Sequence, residues 1–192
     1  MNSVSTMTLL QKRWKPGALA LFLAFFCAAS AIGQSSREYD VKAAFLYNFI
    51  TFTEWPADAF GGPDSPYVIG VLGKDPFGPV LDQIVNGEKI KSRPLVVRRF
   101  SSIADIHHCH ILFICASEEY RLPEILRWLH GQPVLTVADM PGFAEAGGEI
   151  GFLSGLHVKL VMNPAAIQSA NLTVSSKLLR LAQLVPSRRS LP

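Results

Sequence analysis

Four donors in a row, His107, His108, Cys109 and His110, form the most metal-like group in this chain of 192 residues. Adjacent residues on an extended segment point alternately to opposite faces, whereas structural zinc takes donors spaced so that a turn converges them. No CxxC or HxxxH elsewhere completes a set. The run therefore reads as a polar loop entering a buried strand, and no metal or other cofactor is expected. Gly73-Lys74-Asp75-Pro76-Phe77-Gly78 offers different chemistry, because it sits where a strand ends and a helix begins, the place where open α/β sheets bind small anions and nucleotides. It lacks both GxGxxG and the P-loop pattern. A small-ligand or anion contact through Gly73, Lys74, Asp75 and Gly78 thus rests on location alone, and a tight turn with a capped helix explains the same residues.

Catalytic groups are harder to assemble. The chain has no GxSxG and no local cysteine-protease signature. Glu118-Glu119, Asp139 and Glu145 read as solvated or helix-capping carboxylates, since nothing in their spacing puts one within reach of a substrate proton. No catalytic residue is expected.

The elements that position these residues begin after an export signal. Residues 1–17 carry Lys12, Arg13 and Lys15 without an acid, Ala18 to Ala29 is a short apolar run, and Ala29-Ser30-Ala31 is a small-residue cleavage pattern. Together residues 1–31 read as a cleaved secretory signal peptide. Phe25-Phe26 before Cys27 are bulky where a lipoprotein signal wants small residues. Three of the 18 basic residues lie in this segment and none of the 15 acidic ones does, which leaves 15 against 15. A neutral exported domain gives no reason to expect nucleic acid as a partner. Of the three cysteines only Cys109 and Cys115 remain. The strand between them spans about 20 Å when extended, too far for the roughly 7 Å that a disulfide allows, so both are expected as thiols, with Cys109 the more reachable.

Val41 to Pro56, VKAAFLYNFITFTEWP, predicts a helix that is apolar on almost every side, with Asp40 as its cap and Pro56 ending it. On a wheel Val41, Ala44, Phe45, Phe49, Phe52 and Trp55 share one arc, and Ala43, Leu46, Tyr47 and Ile50 most of the other. Such a helix is either the centre of one large core or is shared between its own core and a second chain. Strands are predicted at Tyr67–Leu72, Leu95–Arg99, Ile111–Cys115 and Pro133–Val137, with helices near Phe77–Val85, capped by Asp75, and at Leu122–Leu129. Glu149–Leu153 and Leu156–Met162 read as a hairpin. Asn163-Pro164 opens a short helix, and Ser175 or Ser176 caps a last one containing Leu178, Leu179, Leu181 and Ala182. This alternation predicts an α/β fold, a three-layer Rossmann-like sandwich with a mostly parallel sheet and an antiparallel C-terminal edge hairpin over residues 38–185. Residues 186–192 read as a flexible tail.

In order and spacing, VKAAFLYNFITFTEWP, YVIGVLGKDPFG, CHILFIC, LTVADMPGFAEAGGEIGF and NPAAIQSANLTVSSKLLRLA resemble the YfiR family of exported bacterial proteins from about Tyr39 to Ala182. The resemblance implies a periplasmic, dimer-forming α/β domain. It also implies partners: the periplasmic domain of an inner-membrane diguanylate cyclase, which such a regulator represses to lower cyclic-di-GMP, and an outer-membrane lipoprotein that sequesters the regulator. Cys109 matches the family's cysteine at the start of the CHxLFI strand. Family members with a cysteine at the place of Gly70, and with a second pair near the glycine-rich turn, differ from this chain at both, which weakens the case for redox control here.

The resulting expectation is a non-catalytic periplasmic binding module. Its homodimer or partner anchors are taken from its surplus apolar residues, Phe45, Tyr47, Phe49, Phe52, Trp55, Leu178, Leu179 and Leu181. The alternative is a small-ligand sensor subunit of another membrane signalling system.

Overall fold

The structure is a computed structural model and describes residues 37–155 and 157–186. The export signal expected at 1–31 and all but the first residue of the expected tail lie outside the described residues. Among the described residues helix α1 covers 37–52, so the chain is already helical before Val41 and the helix ends about a turn earlier than its apolar pattern suggested. Asp40 lies within it and is not its cap. The early end has a tertiary cause: Thr53–Glu54 (β1) pairs antiparallel with Thr173–Val174 (β9), and Phe52 O accepts from Ser175 N–H at 2.9 Å. Two β-branched threonines flank Phe52, and Pro56 disfavours helical geometry at Trp55, so a short ladder outcompetes a last turn.

Five parallel strands form the centre of the main sheet: Tyr67–Leu72 (β2), Arg93–Phe100 (β4), Ile111–Ile114 (β5), Leu135–Ala138 (β6) and Ile150–Leu153 (β7). Their spatial order is β4-β2-β5-β6-β7. This is the 2-1-3-4-5 winding in which the chain reverses direction between the first and third strands, opening a crevice at their carboxyl ends. Lys89–Ile90 (β3) extends the sheet beyond β4 as a short antiparallel hairpin. At the other end Lys159–Met162 (β8) pairs antiparallel with β7, the expected hairpin.

That hairpin is not the outermost part of the sheet. Ala182–Leu184 (β10) runs parallel to β8 outside it, and Val185 N–H continues the ladder to Met162 O. The last predicted helix shrinks accordingly to Ser176–Leu179 (α5), capped by Ser175, whose Oγ accepts from Leu178 N–H. With Pro186 ahead, the chain has little room for further helical turns, and strand pairing satisfies its backbone instead.

The helices Pro79–Val85 (α2), Leu122–Leu129 (α3) and Pro164–Ser169 (α4) complete the layers. Gly78 is the N-cap of α2 and Pro79 its first residue, three positions later than expected. Asp75 instead closes a local turn, its Oδ1 accepting from Phe77 N–H at 2.7 Å. Alternating side chains divide the core in two. Ile69, Val71, Phe113, Val137 and Phe152 pack on α1 and α2, while Leu72, Leu112, Ile114 and Ala138 pack on α3 and Phe143. The strands are apolar in continuous runs because both faces are covered.

Candidate functional site

At the crevice between β2 and β5 the backbone turns at Gly73, φ +94°, where a Cβ would collide with Ser117 and Glu118. Ser117 Oγ accepts Lys74 N–H at 2.9 Å, and Asp75 pairs with Arg99 Nε at 2.7 Å. Arg99 also binds Asp82 and the carbonyl of Gly78. The Asp75 carboxylate, the Gly73 and Lys74 N–H groups and the Gly78 carbonyl are thus engaged within the chain, while the Lys74 side chain is exposed, and the carboxylates of Asp75 and Glu118 lie close to where an anion would sit. The geometry explains these residues as a tight turn fixed by an ion pair.

The cysteines are free thiols, both buried. Neither thiol is open to solvent: Cys109 is 6% and Cys115 2% exposed, Cys109 Sγ donates to Ile111 O at 2.9 Å, and burial pushes both thiols up to about 12. The Cys109 side chain turns inward because Gly70 opposite has none. A Cβ there would lie 2.7 Å from Cys109 Sγ and 2.8 Å from Phe100. The histidines diverge, His107 and His108 outward and His110 inward. His110 Nδ1 accepts from Val68 N–H at 3.1 Å, and its ring is boxed by Trp55, Phe60 and Tyr67, with Nε2 lacking a partner. Burial, with a contribution from the Arg93 charge, takes its pKa down to about 4. Among the described residues no three His, Cys, Asp or Glu side chains converge to hold a metal.

Two carboxylates read as solvated are in fact built in. Glu118 is buried, and Asp139 at the end of β6 receives Lys42 Nζ at 2.7 Å and Tyr39 Oη at 2.8 Å. Lys42, 1% exposed, also pairs with Glu38 at 2.6 Å. It interrupts the apolar wheel of α1 only on paper, because its charge is matched inside the protein and fastens the start of α1 to the carboxyl end of the sheet.

The apolar anchors separate into two groups. Phe49 (0% exposed) and Leu178 are spent in the chain's own core, Phe49 stacking on Phe152 at 6.0 Å. Phe45, Phe52, Trp55 and Leu179 are half-buried against that core, and Tyr47 Oη donates to Glu88 Oε2. The outermost strip of α1 is Val41, Ala44, Asn48 and Thr51, small or polar except Val41. A larger uncovered apolar surface lies along residues 181–184, where Leu181 is 68% and Leu184 47% exposed beside the outer edge of β10, which has no further strand among the described residues. At the opposite edge β3 is two residues long, contains Lys89 and is followed by Lys91, features that discourage further pairing.

Sequence reasoning missed Glu149, which it treated only as the start of a strand. The residue is 8% exposed, Oε2 accepts from both Thr136 N–H, at 2.9 Å, and Thr136 Oγ1, and burial pushes the carboxyl up to about 7. It lines a cleft of about 240 Å³ between the end of α3 and α4. The available signal was an acidic residue opening an otherwise apolar strand directly after Gly147-Gly148. Gly148 is needed there because a Cβ would strike the ring of Phe143.

A comparison with curated proteins returns no match. A family model described as YfiR/HmsC-like matches residues 39–183, the span from α1 to β10. The chain belongs to the YfiR/HmsC-like family.

Proposed function

We propose that this protein is an exported, non-catalytic regulator that binds a membrane-bound diguanylate cyclase from the periplasmic side, restrains it, and so lowers cyclic-di-GMP. The YfiR/HmsC-like family is regulatory and acts in diguanylate cyclase signalling in the periplasm. That membership, covering the whole α/β unit, is the observation on which the reading rests. One structural feature supports binding over chemistry: the Asp75 carboxylate and the Ser117 hydroxyl at the sheet's crevice are committed to partners within the chain. The exposed parts of Phe45, Tyr47, Phe52, Trp55 and Leu179, together with Leu181 and its neighbour Leu184, serve as homodimer or partner anchors. About 800 Å² per partner is needed for a stable contact. An outer-membrane lipoprotein that sequesters the regulator completes the scheme.

In cells lacking this chain, cyclic-di-GMP should rise, and wild-type protein should restore it. The double variant Leu181→Asp/Leu184→Asp should fold, since both residues are largely exposed, yet fail to restore it and fail to capture the cyclase from solubilised membranes. Unchanged cyclic-di-GMP on deletion would overturn the function; full complementation by the double variant would overturn only the placement of the interface.

A further inference from the structure

We infer that the cleft beside Glu149 is a binding site for a small organic ammonium ion, its charged head on Glu149 Oε1 and its apolar body against Leu126, Leu129, Ala166 and Ala170. The site stands on geometry independent of any partner protein. Thr136 points to the α3 side of the sheet, between Leu135 and Val137 on the other side, and clamps Glu149 through its backbone N–H and its hydroxyl. Both of these donors go to Oε2. Oε1 receives no protein donor among the described residues and keeps its accessible surface towards the cleft, while the residue as a whole is 8% exposed. A carboxylate this withdrawn from bulk water favours a cation or a proton beside it. No lysine or arginine lines the cleft, and His130, exposed on its rim, is the only other titratable residue that does. Below about pH 7 a proton fills this role, in line with the rise that burial imposes on the Glu149 pKa.

The lining selects the ligand class. An anion is opposed by Glu149, and a purely apolar molecule would leave Oε1 desolvated and unpaired. A divalent metal lacks the further ligands it needs, since no three-member acidic, histidine or cysteine cluster exists among the described residues. A primary ammonium supplies both donor and charge at one end. At about 30 Å³ per water, 240 Å³ admits roughly eight water-sized groups. That suits a short-chain amine and falls below the usual drug-sized pocket.

The test uses n-pentylamine, with pentanoate and 1-pentanol as controls, titrated into the purified protein at pH 8 and followed by NMR. Pentylammonium should bind saturably, with shifts centred on Thr136, Gly147, Ala166 and the Glu149 carboxyl carbon, and should bind at least tenfold more tightly than either control. Glu149→Gln should weaken it at least tenfold. Ala166→Leu, at a half-buried helix position that fills the cleft without touching the Thr136 clamp, should do the same and serves if the glutamine variant does not fold. Absence of saturable pentylammonium binding, equal binding of pentanoate, or undiminished binding by folded Ala166→Leu would overturn the site.

Discussion

Glu149 and His110 should hide each other's effect on stability, and removing one should expose the other. Burial raises the Glu149 pKa from 4.5 to about 7, so between these values the folded protein holds a proton that the unfolded chain has lost. The stability this gives is complete below pH 4.5 and is lost as the pH rises through 7. His110 works in the opposite direction. Its pKa falls from 6.5 to about 4, so over that range the unfolded chain binds the extra proton, and stability is lost as the pH falls. At about 1.4 kcal/mol per pH unit for a fully titrating group, each residue contributes about 1.5 kcal/mol between pH 5 and 6.5, with opposite sign. That window lies above the range in which Glu38 and Asp82, held low by Lys42 and Arg99, matter. Urea unfolding followed by circular dichroism should therefore give a nearly flat stability profile for the wild type. Glu149→Gln, which keeps an acceptor for Thr136, should gain about 1.5 kcal/mol from pH 5 to 6.5 because only the His110 contribution remains. Parallel profiles for the two proteins, at equal m-values, would show that Glu149 titrates as an ordinary surface carboxyl and would refute the burial reasoning.

Two further substitutions test the packing at either end of the central strands. Lys42→Met strands the buried Asp139 and should cost about 3–5 kcal/mol, the range for breaking a buried pair, while Lys42→Met/Asp139→Asn should recover much of it; a single-variant loss below about 1 kcal/mol in urea unfolding would show that the pair is effectively solvated. Gly70→Cys places a second sulfur against Cys109 and should form a disulfide closing a loop of about 40 residues, worth up to about 4 kcal/mol before Phe100 and Leu112 make room; thiol titration together with melting with and without reductant decides this, and two free thiols in the oxidised protein would count against it.

The places where sequence and structure part company share one cause, contact between residues far apart in the chain. Ile111 to Ile114 was legible because a strand covered on both faces must be apolar throughout, and Asn163-Pro164 because a cap and a first-turn proline act locally. Residues 181–184 carry no local signal strong enough to choose between helix and strand. Their state is decided by β8, some twenty residues earlier in the chain, whose outer edge would otherwise be left unpaired. Lys42 and Glu149 carry no readable signal for the same reason, since a lone charge in an apolar pattern looks like a surface residue until its partner is known, and Asp139 and Thr136 come from other elements.

The same cause revises the view of α1. Its wheel looked too apolar for one core, but that inference assumed a core pressing from one side only. Phe49 and Phe45 reach Phe152 of β7, Trp55 reaches His110 and Tyr67, and Tyr39 meets Phe77 ahead of α2, so neighbours approach the helix and its flanking residues from several directions. What remains for a second chain is a narrow strip around Val41 and Ala44 and the exposed rims of the aromatics. The outer edge of β10, which pairs with no further strand among the described residues and carries two exposed leucines, is therefore the stronger place to look for the partner.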